Sequence, residues 1–158
     1  MMQDQKDCKQ KQLGCGGCPY LSLPYEEQLR KKQKYVRKLL GNFGKIQPII
    51  GMENPWNYRN KAISTFASSK KRPLFSGIYR EKTHQVIPVD TCLLHQKRLD
   101  EAIGAVREAA LLCKYKPYDE DRHTGLIRHV LARHSRTTDE VLVVLITASD
   151  ILPRSRTL

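Results

Sequence analysis

Apolar and polar positions alternate along the chain in three distinct ways. Tyr25, Leu29, Val36, Leu39, Leu40 and Phe43 form one apolar stripe, and the positions between them are almost all Lys, Arg, Gln and Glu. Glu26 and Glu27 at the start and Arg37 and Lys38 at the end complement a helix dipole, and Gly41-Asn42 supplies a stop, so the spacing predicts a long amphipathic helix over 25–44. That stripe must rest on the domain's own core or on a partner. From Tyr58 to Val89 the residues favour strands at 61–67, 75–80 and 85–89, with a basic turn at Lys70-Lys71-Arg72-Pro73, which predicts an antiparallel meander. Leu99, Ile103, Val106, Ala110 and Cys113 then recur at alternating steps of four and three, the pattern of a helix laid on a sheet. Two further strands follow at 126–134 and 140–148. Residues 141–146 are apolar at every position, as in a strand buried on both faces.

These elements add up to an α+β fold. It consists of an antiparallel sheet of about four to five strands with one packed helix, preceded by an N-terminal cysteine-rich loop and the long amphipathic helix. The expected boundaries are a cysteine segment at 1–24, the helix at 25–44, a central α+β region at 55–150 and a polar tail at 151–158. A length of 158 residues suits this single-domain scale. No stretch reaches the roughly 18 to 20 consecutive apolar residues of a membrane span, so no membrane partner is expected. The opening Met-Met-Gln-Asp-Gln-Lys-Asp has no apolar signal segment, which points to the cytoplasm.

Charge narrows the class of partner. Twenty-eight Lys and Arg against sixteen Asp and Glu give a net charge of +12, spread along the whole chain and interleaved with Tyr, Phe and Trp. That distribution suits a polyanion, and the aromatic interleaving suits nucleic acid over an acidic membrane.

In a reducing compartment the five cysteines argue for metal or core roles over disulfides. Cys113 lies on the apolar stripe of its helix and reads as a small core hydrophobe. The other four, Cys8, Cys15 and Cys18 in a Cys-Gly-Gly-Cys, and Cys92, read as a tetrahedral thiolate metal site. Zinc and iron-sulfur clusters both accept four thiolates, and the spacing matches neither a two-knuckle zinc ribbon nor the ferredoxin run of closely spaced cysteines. A zinc-bracketed nucleic-acid-binding module with no enzyme parent therefore remains an alternative. A thiol redox role for Cys15 and Cys18 is disfavoured, because the next helix begins seven residues after Cys18, beyond the reach of its dipole.

The run from Cys8 to Cys18, followed by Tyr25-Glu-Glu-Gln-Leu-Arg-Lys-Lys and Tyr58-Arg-Asn-Lys-Ala, resembles the RumA/TrmA-type RNA uracil-5-methyltransferases. Gly77-Ile-Tyr, His84-Gln-Val-Ile, Asp90-Thr-Cys92 and Gly125-Leu-Ile-Arg-His-Val-Leu-Ala-Arg are similar too, in the same order, so the resemblance covers nearly the whole chain. It implies a four-iron, four-sulfur cluster on Cys8, Cys15, Cys18 and Cys92 that braces the fold without donating the methyl group. It also implies that helix 25–44 packs on a catalytic domain of the same parent chain, and that the RNA is ribosomal, with transfer RNA second. Arg59 and Lys61 are the first candidates for RNA contacts, Arg128 and Arg133 the next, and Tyr58 or Phe75 could stack on a base.

Methyl transfer to C5 of uracil needs a thiolate to attack C6, a base to remove the C5 proton and a pocket for S-adenosylmethionine. No residues in this sequence match those parts, so no catalytic residue is assigned. S-adenosylmethionine is expected only in the full-length parent, and this chain alone is expected to bind RNA without methylating it.

Overall fold

A computed structural model describes residues 7–154. Its elements in chain order are α1 (Lys9–Gln12), α2 (Tyr25–Leu40), β1 (Lys61–Ser69), β2 (Arg72–Tyr79), β3 (Val86–Pro88), α3 (Lys97–Leu112), β4 (Ile127–His134) and β5 (Val141–Thr147). The five strands form one antiparallel sheet in the order β3-β2-β1-β4-β5, the α+β arrangement that the alternating pattern predicts. β2 and β3 pair closely at Gly77, where a Cβ would stand 1.8 Å from the Ile87 carbonyl oxygen, so only glycine fits there.

Helix α3 covers one face of the sheet. Leu99, Ile103 and Ala110 from the helix meet Ala62, Phe66, Leu74, Ile127, Val130 and Ala132 from the strands, and Leu99 and Val130 are wholly buried. Cys113, at the C-cap of α3, lies in this same core, where the stripe puts it. Burying a leucine of this kind stabilises the fold by about 1.5–3 kcal/mol.

Among the described residues no helix packs on the opposite face of the sheet. Strand alternation in β1 sends Ala62, Ser64 and Phe66 to the covered side and leaves Lys61 and Ile63 exposed on the other. β5 departs from expectation. Leu142 is 59 % exposed, and Val143 and Val144 are exposed as well. A continuous apolar run predicts a strand covered on both sides, but β5 is an edge strand paired only with β4: Leu145 packs toward the core on the α3 side, and among the described residues the side bearing Leu142 and Val144 is left open.

Helix α2 forms as the charges and caps dictate, from Pro24 to a C-cap at Gly41, and buries no residue completely. Its first half is tied down. The Tyr25 hydroxyl accepts the Met52 N–H at 2.9 Å, and the Gln33 side chain bonds the backbone at Gln47 and Ile49. Its second half leaves Leu39 and Leu40 in solvent, and Phe43, in the turn just beyond the helix, is 86 % exposed. Residues 151–154 do more than trail away as a polar tail: Leu152 packs against the core, and the Tyr115 hydroxyl donates to the Pro153 carbonyl. Residues 1–6 of the cysteine segment and 155–158 of the tail lie outside the described residues.

Candidate metal centre and nucleic-acid interface

The cysteine segment is stitched to the end of β2. Cys15 forms an isolated antiparallel bridge with Arg80, the Glu81 N–H donates to the Gly14 carbonyl at 3.2 Å, and Arg80 Nε donates to the Leu13 carbonyl at 3.0 Å. Cys92 arrives from the other direction, in the turn after β3. Cys8, Cys15 and Cys92 all lie near enough to Cys18 for their charges to act on it. Burial raises the Cys18 thiol above its ordinary value. The neighbouring Cys92, Cys15 and Cys8 sulfurs push it the same way, and the Arg59 guanidinium opposes them.

The Cys92 thiol is shifted the other way. Burial works against its charge, but hydrogen bonds from the His95 side chain and from the Leu94 and His95 backbone outweigh that cost and hold the thiol below its ordinary value. Asp100 braces this turn with both oxygens: Oδ1 meets His95 Nδ1 at 2.7 Å and Oδ2 accepts the Cys92 N–H at 3.1 Å. Burial disfavours a charged His95, yet the Asp100 and Cys92 partners push its pKa up to about 9. The glycines keep the knuckle open. The Gly17 N–H donates to Cys15 Sγ at 3.4 Å, and a Cβ at Gly17 would sit 3.4 Å from that same sulfur.

A single tetrahedral ion with bonds of about 2.3 Å draws its sulfurs to within about 4 Å of one another. Among the described residues no three His, Cys, Asp or Glu side chains stand in such a group. N–H groups are directed at the Cys15 and Cys92 sulfurs, and the Arg59 charge acts on Cys18. By ligand type, four thiolates with such hydrogen bonds suit a zinc ion or an iron-sulfur cluster alike.

The basic candidates separate into three settings. Arg59 is half-buried, its backbone is paired with Leu94 and Gln96, and its charge is felt at Cys18. Arg128 is engaged already: its guanidinium meets Glu120 at 2.6 Å and lies 4.2 Å over the Tyr118 ring. Lys61 and Arg133 are direct cross-strand partners on the uncovered sheet face. Neither has an acidic partner among the described residues, and like charges so placed destabilise a sheet. Arg133 also lines a cleft of about 620 Å³ with Tyr58, Asn60, His134 and Arg136. Phe75, half-buried opposite Ala67, is distant in register from the Lys61 end of the sheet.

Sequence reasoning missed Arg136, Asn60 and the His95–Asp100 brace. Arg136 sits in a polar turn with no periodic signal, and His95 and Asp100 acquire meaning only once the chain folds around Cys92.

The fold defines a small α+β module with a cysteine-bearing N-terminal segment and a basic, exposed sheet face. No family model matches the sequence. An uncharacterized RNA methyltransferase of Halalkalibacterium halodurans is 41% identical over 149 residues, covering 91% of this chain and 32% of that protein. A second from Bacillus cereus is 36% identical over 147 residues, with 90% and 32% covered, and a third from Listeria innocua is 38% identical, with 88% and 31% covered. Among solved structures, the Pyrococcus abyssi tRNA (uracil-54, C5)-methyltransferase in complex with S-adenosyl-L-homocysteine superposes with a TM-score of 0.73 at 26% identity, covering 91% of this chain and 34% of that one. The chain is thus related to RNA methyltransferases and spans about a third of their length.

Proposed function

We propose that this chain is the RNA-contacting, iron-sulfur part of an S-adenosylmethionine-dependent RNA (uracil-5-)-methyltransferase that works in the cytoplasm. The observation that carries the RNA reading is the Lys61–Arg133 pair, two opposed cations with no acidic partner among the described residues, on a sheet face without a covering helix. A phosphate backbone relieves their repulsion and gains from both. Cys8, Cys15, Cys18 and Cys92 would hold a four-iron, four-sulfur cluster. When bound, it would supply a structural cross-link between the cysteine segment and the turn at 92–100, with the His95–Asp100 pair orienting Cys92.

An all-antiparallel sheet offers no strand–turn–helix crossover of the kind that cradles S-adenosylmethionine, so the residues described here do not fit that cofactor. We assign methyl transfer to the two thirds of the relatives' length that this chain does not span. The exposed apolar half of α2 and the β5 edge suit packing against that catalytic part.

The ordered motifs favour ribosomal RNA as substrate. Transfer RNA is the second reading, favoured by the name of the Pyrococcus neighbour. No helix among the described residues is long and apolar enough to cross a membrane. The test combines RNA binding with methyl transfer from labelled S-adenosylmethionine. The chain alone should bind structured RNA with strong salt dependence and transfer no methyl group. Methylation by this chain, or RNA affinity indifferent to salt, would contradict the proposal.

A further inference from the structure

Beside the cysteine centre lies a cavity of about 250 Å³ whose wall carries Tyr20, Tyr25, Trp56 and Tyr58, with Gln28 and Lys32 from α2. Four aromatic side chains around one cavity of a chain with only eleven aromatics (Tyr 7, Phe 3, Trp 1) is a marked concentration. The wall is anchored, since the Tyr25 hydroxyl is fixed by the Met52 N–H at 2.9 Å and the Gln28 amide donates to the Leu23 carbonyl at 3.0 Å. Tyr20 and Tyr58 remain 37 % and 41 % exposed, so their ring surfaces are reachable from solvent.

Tyr58 belongs to two sites at once. It lines this cavity and also the neighbouring basic cleft that contains Arg133 and Arg136, with Lys61 directly across the sheet from Arg133. Cations for phosphates and aromatic rings for a base therefore adjoin through a single side chain. Aromatic rings stack on any base, and RNA-binding proteins read strands whose bases are splayed out in this manner. The charge of +12 and Lys32 on the wall suit a polyanionic strand over an apolar peptide.

We propose that the Tyr20–Tyr25–Trp56–Tyr58 cavity receives one unstacked base of an RNA strand whose phosphates lie on Lys61, Arg133 and Arg136. The proposal rests on the RNA-binding reading and adds where a base goes. Trp56 is the one tryptophan of the sequence, so its fluorescence reports this cavity alone. The experiment titrates the full chain with a single-stranded RNA oligonucleotide and with an abasic ribose-phosphate strand of equal length. Binding is followed independently by the anisotropy of an end label.

RNA should quench Trp56 in step with the anisotropy, whereas the abasic strand should bind through its charge and leave the emission unchanged. Tyr20→Ala should lose roughly five- to 150-fold in RNA affinity, the range of one base–aromatic stack, with Tyr20→Phe restoring it and the abasic strand unaffected. Bound RNA with unchanged Trp56 emission would give the cavity to protein packing and overturn the proposal. So would equal quenching by the abasic strand. Because the quenching is read on the unmodified chain, neither result depends on how a variant folds. Failure of RNA to change the anisotropy at all would refute the RNA-binding reading itself.

Discussion

Lys61 and Arg133 allow the function of the sheet face to be separated from its stability. Replacing both by glutamine, Lys61→Gln and Arg133→Gln, removes two charges and keeps most of each stem on the strand surface. In the folded chain the two cations oppose each other with no acid between them among the described residues, an arrangement that costs roughly 0.2–1 kcal/mol. The double variant should therefore melt at or slightly above the temperature of the unmodified chain. RNA binding should move the other way. Each phosphate neutralised on a single strand contributes about 0.7 to the slope of log affinity against log salt, so losing two lowers the slope by about 1.4. Between 50 and 200 mM salt that difference amounts to about a seven-fold smaller fall in affinity. Anisotropy titrations of a labelled RNA across that range, with thermal melts of the same samples, measure both effects. An unchanged salt slope would refute the phosphate assignment. A large loss of stability would show the pair to be structural.

Other outcomes rest on the same geometry. Arg128→Ala should lower stability by about 1 kcal/mol through loss of the Glu120 contact and the Tyr118 ring, and leave the RNA salt slope unchanged. Leu99→Ala should cost about 2–5 kcal/mol in urea denaturation, because the side chain is fully buried between α3 and the sheet. Asp139 is held below its ordinary value of 3.8, first by its hydrogen bond from Arg98 and then by His134. A depressed carboxylate stabilises the fold above its unfolded value, and that contribution is lost as pH falls through the folded value. Asp139→Asn should thus melt lower than the unmodified chain at neutral pH, with the two curves converging as pH drops below 3.8.

How much of this was legible in the sequence differs from residue to residue. The stripe Leu99, Ile103, Val106, Ala110 and Cys113 located α3 and its buried side, because a 3.6-residue period has one reading when the helix lies on a sheet. The same kind of pattern failed at residues 141–146. An apolar run states that faces are to be covered and does not say by what, so a strand at an open sheet edge reads like one at the centre. Arg59, Lys61, Arg128 and Arg133 look equivalent as letters. Register separated them, by putting Lys61 opposite Arg133, turning Arg59 toward Cys18 and giving Arg128 to Glu120 from a loop eight residues away. The cysteines were conspicuous in the sequence, whereas the His95–Asp100 brace is visible only in three dimensions. The aromatic cavity likewise combines Tyr20 and Tyr25 with Trp56 and Tyr58 from another segment.

Metal analysis of Cys8, Cys15, Cys18 and Cys92 decides between the proposed iron-sulfur brace and a zinc site. Iron, acid-labile sulfide and zinc should be measured per chain after anaerobic purification, on the unmodified protein and on Cys92→Ser and Cys113→Ser. We predict about four iron and four sulfide per chain with broad visible absorption in the unmodified protein and in Cys113→Ser, and loss of both in Cys92→Ser. A colourless protein carrying one zinc, or iron content indifferent to Cys92→Ser, would contradict the cluster assignment.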